Sequence, residues 1–230
     1  MCGRFTLRTN AEVLRAEFDL SELPADLSPR FNVAPTQPVA IIPNREPRRL
    51  GLVRWGLIPY WAKDASIGNR QINARAETLT ERRAYQEAFA QRRCLVVADG
   101  FYEWKKEGKR KHAIFIHKKD DGPFAFAGIW EVWRPSGGEK VASCAIVTTE
   151  PNELLRPIHD RMPVILPRES WETWLRPGTT PSRELLPLLR PLPPDALEVY
   201  EVSSFVNAPA NEGPECIVPI VDLVGGTLRD

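Results

Sequence analysis

The chain opens MCGRF, and Cys2 is the first residue whose chemistry needs an account. Initiator-methionine processing removes Met when the next side chain is small, and Cys qualifies. Cys2 would then carry a free α-amine beside its own thiol. The amine has a reference pKa of about 7.7–8.0 and the thiol of about 8.5, so both are partly reactive near neutrality. Such an amine condenses with an aldehyde to an imine, and the thiol adds to the same carbon to close a five-membered thiazolidine. A cysteine within a chain has its nitrogen in an amide and cannot close that ring. Position alone favours the simpler reading, a small residue at a buried terminus.

Three further stretches hold candidate groups. In NARAE, Asn73 and Arg75 are two apart and share a face of any extended segment. In ADGFYEW, Glu103 is a lone carboxylate among aromatics, where burial would raise its pKa and suit it to proton transfer. In PIHDRMP, His159, Asp160 and Arg161 form a loop ahead of an apolar run, and a loop His beside Asp can shuttle protons. Each has a structural alternative: a paired carboxylate for Glu103, a turn-capping cluster for His159. His112 and His117 lie in or near a basic strand and read as structural.

Taken in order, CGRF, FNVAPTQ, RWGLIPYWAKD, INARAET, ADGFYEWKK, IHDRMPVIL and VSSFVN resemble the SOS response-associated peptidase (SRAP) family of abasic-site processing proteins. The resemblance runs from Cys2 to about Ile220. It implies an enzyme that meets an abasic site in single-stranded DNA, whose open sugar exposes an aldehyde at C1′. Cys2 matches the cysteine that forms the thiazolidine cross-link. Asn73 matches the asparagine that positions it, Glu103 the proton shuttle, and His159 the histidine that assists sugar opening or reversal. Arg4 and Arg75 match phosphate-binding arginines, and Arg161 in IHDRMP is a further DNA-contact candidate. No metal or cofactor is implied. One departure is APANEGPE after SSFVN, where a basic or polar residue near Ala210 is expected; a backbone contact with DNA would be missing there.

Other residues fit such a partner. Lys105, Lys106, Lys109, Arg110 and Lys111 surround a Glu-Gly turn and could touch phosphates, or simply solubilise a hairpin. Trp55, Tyr60 and Trp61 alternate with basic residues; Trp55 reads as core and Trp61 as the base-stacking candidate. Two other classes fit parts of the pattern: an N-terminal-nucleophile hydrolase or autoprotease using the Cys2 thiol, and a non-catalytic single-stranded DNA-binding module.

The elements that must position these groups are legible in outline. A net charge of +1 leaves nucleic-acid binding to local patches. No apolar run nears ~20 residues and no secretory h-region opens the chain, so a cytoplasmic protein with no membrane segment is expected, most simply a monomer. The 22 prolines imply rigid loops and edges. Cys94, Cys144 and Cys216 sit in apolar runs and read as inert core thiols, without CxxC or metal spacing. TNAEVLRAEF and TLTERRAYQEAFAQRR each show a capping-box spacing (Thr9 with Glu12, Thr78 with Glu81) and predict helices, the second of about three turns. Strands are expected at VAIIP, LGLVRWGLI, CLVVADGFYEW, HAIFIH, FAFAGIW, VASCAIVTT, MPVIL, LEVYEVS and CIVPIV, and short helices after Thr149, at ESWETWL and at SRELLPLL. Strands without regular helix alternation predict one α+β domain over 1–230. Its sheet would be mostly antiparallel and partly closed, barrel-like, with peripheral short helices.

Overall fold

A computed structural model of the chain describes residues 2–135 and 137–220. Its strands are β1 (Arg4–Leu7), β2 (Arg30–Val33), β3 (Pro38–Pro43), β4 (Gly51–Trp55), β5 (Asn73–Arg75), β6 (Arg93–Ala98), β7 (Gly100–Glu107), β8 (Arg110–Lys118), β9 (Phe124–Trp133), β10 (Val141–Thr149), β11 (Met162–Pro163), β12 (Ile165–Leu166) and β13 (Leu197–Val202). The α-helices are short: α1 (Ala11–Phe18), α2 (Gln86–Gln91), α3 (Trp171–Trp174) and α4 (Ser182–Leu185). The architecture is α+β and sheet-dominated, as expected.

One sheet is an antiparallel set in the order β13-β8-β7-β1-β2. In the other, β3 pairs with β4 and β6, β6 with β9, β9 with β10 and β10 with β4, which closes a ring. Closure removes free edges from these strands. The ring departs from antiparallel order only at β10, where β4 and then β5 both pair in parallel. The intervening residues 56–72 are an excursion that leaves β10 and returns to it. It starts at Gly56, with φ of 127°, where a Cβ would stand 2.5 Å from the Gly68 carbonyl oxygen. Only glycine fits a positive φ with so close an approach.

Side-chain alternation sorts the ring strands into two apolar clusters. Val39, Ile41, Cys94, Val96, Phe126, Cys144 and Ile146 join Phe5 and Phe101 of the other sheet, with Cys2 among them. Ala40, Ile42, Leu95, Val97, Ala127 and Val147 instead pack with Leu14, Phe18, Phe89, Trp171 and Trp174 of the helices. The four thiols are free and buried.

The structure revises several sequence expectations. CLVVADGFYEW is two strands in two sheets. Asp99 breaks it, fully buried and accepting from Thr6 Oγ1 (2.6 Å), Arg8 N (2.6 Å), Thr9 N (2.8 Å) and Thr9 Oγ1 (2.8 Å). That also removes Thr9 from capping duty, and Asn10 caps α1 by accepting from Val13 N at 3.0 Å. The helix expected over 78–93 shrinks to Gln86–Gln91, with a 3-10 turn at Ala76–Thr78, because Leu79 and Tyr85 are drawn into the core instead of onto one helical stripe. After Thr149, the Arg156 N–H donates to Asn152 O (3.0 Å) and the His159 N–H to Leu155 O (2.9 Å), but Pro157 between them has no N–H to give and only turns form. MPVIL divides at Val164, whose N–H donates to Val147 O and whose carbonyl accepts from Ala127 N, bridging β10 and β9. Cys216 lies in a 3-10 turn, Pro214–Ile217, not a strand; the end of CIVPIV lies outside the described residues.

Candidate active site

Four elements deliver the candidate chemical groups to one place. Cys2, just before β1, is fully buried. Asn73 opens β5 opposite Ile146, and its Nδ2 donates to the Cys2 carbonyl at 2.8 Å. β5 is fixed at both ends of the preceding excursion: Trp55 Nε1 and Ile146 N both donate to Ile72 O, at 2.9 and 3.0 Å. The hydroxyl of Tyr85 donates to the Asn73 carbonyl at 3.2 Å.

Glu103, on β7 opposite Ile114, is 2% exposed. Burial, before any other cause, raises its pKa to about 7. Burial, and then the charge of Glu103, raises the Cys2 thiol, so the two groups feel one another. His159 sits in the loop ahead of β11, with Nε2 4.0 Å from Glu103 Oε2. Its Nδ1 is met by the Arg161 backbone N–H at 3.0 Å and by Asp160 Oδ1 at 2.8 Å. The neutral ring accepts the Arg161 N–H at Nδ1 and carries its proton on Nε2, toward Glu103. A second proton gained at Nδ1 would face Asp160. Burial lowers the His159 pKa, which favours the neutral ring. A carboxyl near 7 beside a neutral imidazole can both give and take a proton at neutral pH.

The expected DNA contacts divide. Arg75 is exposed at the end of β5, opposite Thr148 of β10. Arg161 adjoins the same strand: it pairs with both carboxylate oxygens of Glu77 (2.7 and 2.8 Å) and donates from Nη2 to Thr148 O at 2.7 Å. Arg4 is turned into the protein, donating to Asn32 Oδ1 (2.7 Å), Val206 O (2.8 Å) and Asn207 O (3.2 Å). Trp61 lies on the 56–72 excursion, in a cleft of about 810 Å³ lined also by Lys63, Asp64, Asn69, Arg70 and Arg83, with the Arg83 guanidinium 4.8 Å from its ring. Trp55 is core, as expected. The APANEGPE segment serves packing: Asn32 Nδ2 donates to the Ala208 and Asn211 carbonyls, and Glu212 accepts from the N–H of Phe31 and Asn32.

Two residues with polar roles here escaped sequence reasoning. Trp104 donates from Nε1 to Asn207 Oδ1 at 2.7 Å, with Arg4 5.9 Å from its ring. Thr148 is fully buried, and its hydroxyl has no hydrogen-bond partner among the described residues. Thr148 lies in an apolar strand pattern that gives no polar signal. Among the described residues no group of three or more His, Cys, Asp or Glu could hold a metal ion, and no helix is long and apolar enough to cross a membrane.

Ring and site define a class: an α+β protein whose opening cysteine is held by an amide from one strand, beside a carboxyl from a second and an imidazole from a loop. The chain belongs to the SOS response associated peptidase (SRAP) family, whose profile matches residues 1–209. It is 46% identical over 221 residues to the abasic site processing protein YoqW of Bacillus subtilis, covering 94% of this chain and 99% of that one. It is 33% identical to the abasic site processing protein HMCES of Xenopus tropicalis, covering 76% of this chain and 58% of that longer protein. A crystal structure of a protein from Bacteroides thetaiotaomicron superposes with a TM-score of 0.87 at 27% identity, covering 96% of this chain and all of that one.

Proposed function

We propose that this protein captures abasic sites in single-stranded DNA covalently, through Cys2 once Met1 is removed. The observation that carries the reading is the 2.8 Å bond from Asn73 to the Cys2 carbonyl, which fixes the reacting residue beside Glu103 and His159. The names of the relatives support the substrate class.

The Cys2 amine adds to the C1′ aldehyde and forms a carbinolamine. Glu103, protonated for much of the time near pH 7, gives its proton to the departing hydroxyl and then takes the proton released by the nitrogen, so water leaves and the C=N bond forms. The thiol then adds across that bond: S–C1′ forms, the thiol proton passes to nitrogen, and the thiazolidine closes. His159 serves the opening of the sugar hemiacetal and, in reverse, release. The imine also acidifies the C2′ protons, so a weak lyase reaction accompanies capture. Arg75 and Arg161 would hold flanking phosphates and Trp61 an unpaired base. The whole chain acts as one domain and as a monomer in the cytoplasm.

The raised thiol pKa argues against the hydrolase reading, because a nucleophilic cysteine needs a depressed one. In the capture mechanism the amine attacks first and the thiol reacts as S–H, so a high pKa is no obstacle. The test combines intact mass with a denaturing gel after incubation with an abasic oligonucleotide. A mass lacking Met1 and an adduct that survives denaturant without reductant are expected. Free DNA after denaturation would leave only a binding module.

A further inference from the structure

The Asn73 amide that holds Cys2 is only as fixed as the strand it stands on. β5 is three residues long and, among the described residues, pairs with β10 alone. Successive carbonyls of a strand face opposite sides of it. Ile72 O faces β10, where it accepts from Ile146 N at 3.0 Å. Asn73 O therefore faces away from that strand, out of reach of the ladder. On that side the Tyr85 hydroxyl donates to it at 3.2 Å.

Tyr85 is itself firmly seated. It is 6% exposed and packs in the cluster that holds Ala74, Ala76, Leu79, Ala88 and Phe89. Its backbone opens α2: the N–H donates to Arg82 O and the carbonyl accepts from Phe89 N, both at 2.8 Å. The far end of α2 is anchored by the buried Arg93, which donates to the Phe89 and Ala90 carbonyls at 3.0 and 2.5 Å. Burial raises the Tyr85 pKa, so the hydroxyl keeps its proton and remains a donor. A phenylalanine ring would fill the same space, so packing alone has no use for the hydroxyl.

We propose that Tyr85 is a positioning residue for Cys2 that acts through Asn73, a reading that rests on abasic-site capture. A hydrogen bond to the Asn73 carbonyl fixes the peptide plane between Asn73 and Ala74. That plane sets the direction in which the Asn73 side chain leaves the strand, and its Nδ2 then reaches the Cys2 carbonyl at 2.8 Å. The carbonyl and the amine of Cys2 share one Cα, so holding the carbonyl limits the swing of the amine. The amine must line up with the C1′ aldehyde, and small misplacements of a reacting atom are costly. Tyr85 thus reaches the reacting atoms only by way of Asn73.

The test is a cycle of Tyr85→Phe, Asn73→Ala and the double variant, timed in single turnover with an abasic single-stranded oligonucleotide. Tyr85→Phe should slow adduct formation about three- to tenfold, the effect of roughly one net hydrogen bond, with affinity for single-stranded DNA unchanged. In the Asn73→Ala background the same change should cost less than about twofold, because the path it acts through is gone. A second readout needs no DNA. The side-chain amide signal of Asn73, identified by its loss in Asn73→Ala, should exchange with water about threefold faster or more in Tyr85→Phe. If Asn73→Ala is too slow to time, this exchange rate decides alone. An unchanged adduct rate, an equal loss in both backgrounds or an unchanged exchange rate would overturn the role of Tyr85. A wild-type protein that forms no stable adduct would instead sink the capture reading, while the exchange rate would still report whether Tyr85 holds Asn73.

Discussion

Glu103→Gln should separate stability from reaction rate. The Glu103 carboxyl has an ordinary pKa of 4.5 and one of about 7 in the folded protein, chiefly because it is buried. The folded state therefore holds the proton more tightly than the unfolded chain does. That contribution is fully present below about 4.5, declines as the pH rises, and is lost once the pH passes about 7. The full shift of roughly 2.5 units is worth about 3 kcal/mol at 1.36 kcal/mol per unit, and most of it, roughly 2–3 kcal/mol, falls between pH 5 and pH 8. Glutamine cannot ionise and escapes this loss. At roughly 2–4 °C per kcal/mol for a chain of this size, the melting temperature of Glu103→Gln relative to wild type should rise by about 5–10 °C between pH 5 and pH 8. Cross-linking by the same variant should fall by ~10²–10⁴-fold, the usual contribution of a general acid–base group, with DNA affinity nearly intact. Scanning calorimetry at the two pH values and a single-turnover gel assay measure the two effects. A pH-independent difference in melting temperature would refute the raised pKa. Wild-type cross-linking would make Glu103 structural and move the proton shuttle to His159.

Cys2→Ala should still lose Met1 and keep the amine, so borohydride should trap an imine while no denaturant-stable adduct forms without it. A form that retains Met1 keeps every side chain but ties the Cys2 nitrogen in an amide; cross-linking by that form at the mature rate would show that sulfur acts alone. Arg75→Ala should lower the log–log salt slope for single-stranded DNA by about 0.7, one phosphate contact, and an unchanged slope in a binding titration would remove Arg75 from the DNA interface. Arg93→Met should destabilise strongly, by about 3–5 kcal/mol, because the buried Arg93 guanidinium donates to carbonyls of Phe89, Ala90, Trp174 and Arg176 and to Thr180 Oγ1. A chemical denaturation midpoint equal to wild type would show that those carbonyls find other donors.

The sequence by itself determined the reactive inventory and the class of fold. Residue type alone sets what an amine beside a thiol can do, and alternating apolar runs without regular helices define a sheet-dominated α+β chain. Seven motifs in order, from CGRF to VSSFVN, were together specific enough to indicate the family, although each alone would be weak. Tertiary structure decided the rest. Thr9 looked like a helix cap and became a partner of Asp99, since a buried carboxylate competes for donors more strongly than a helix end in water. Nothing in the local sequence of Arg4 shows that it donates to the carbonyls of residues 206 and 207, some two hundred positions away. Thr148 gave no signal in an apolar strand, yet parallel pairing with β5 sets it opposite Arg75, two register positions from Asn73. Local sequence fixes propensities and alternation. It does not fix which strands meet, and strand pairing is what turns a side chain into a neighbour.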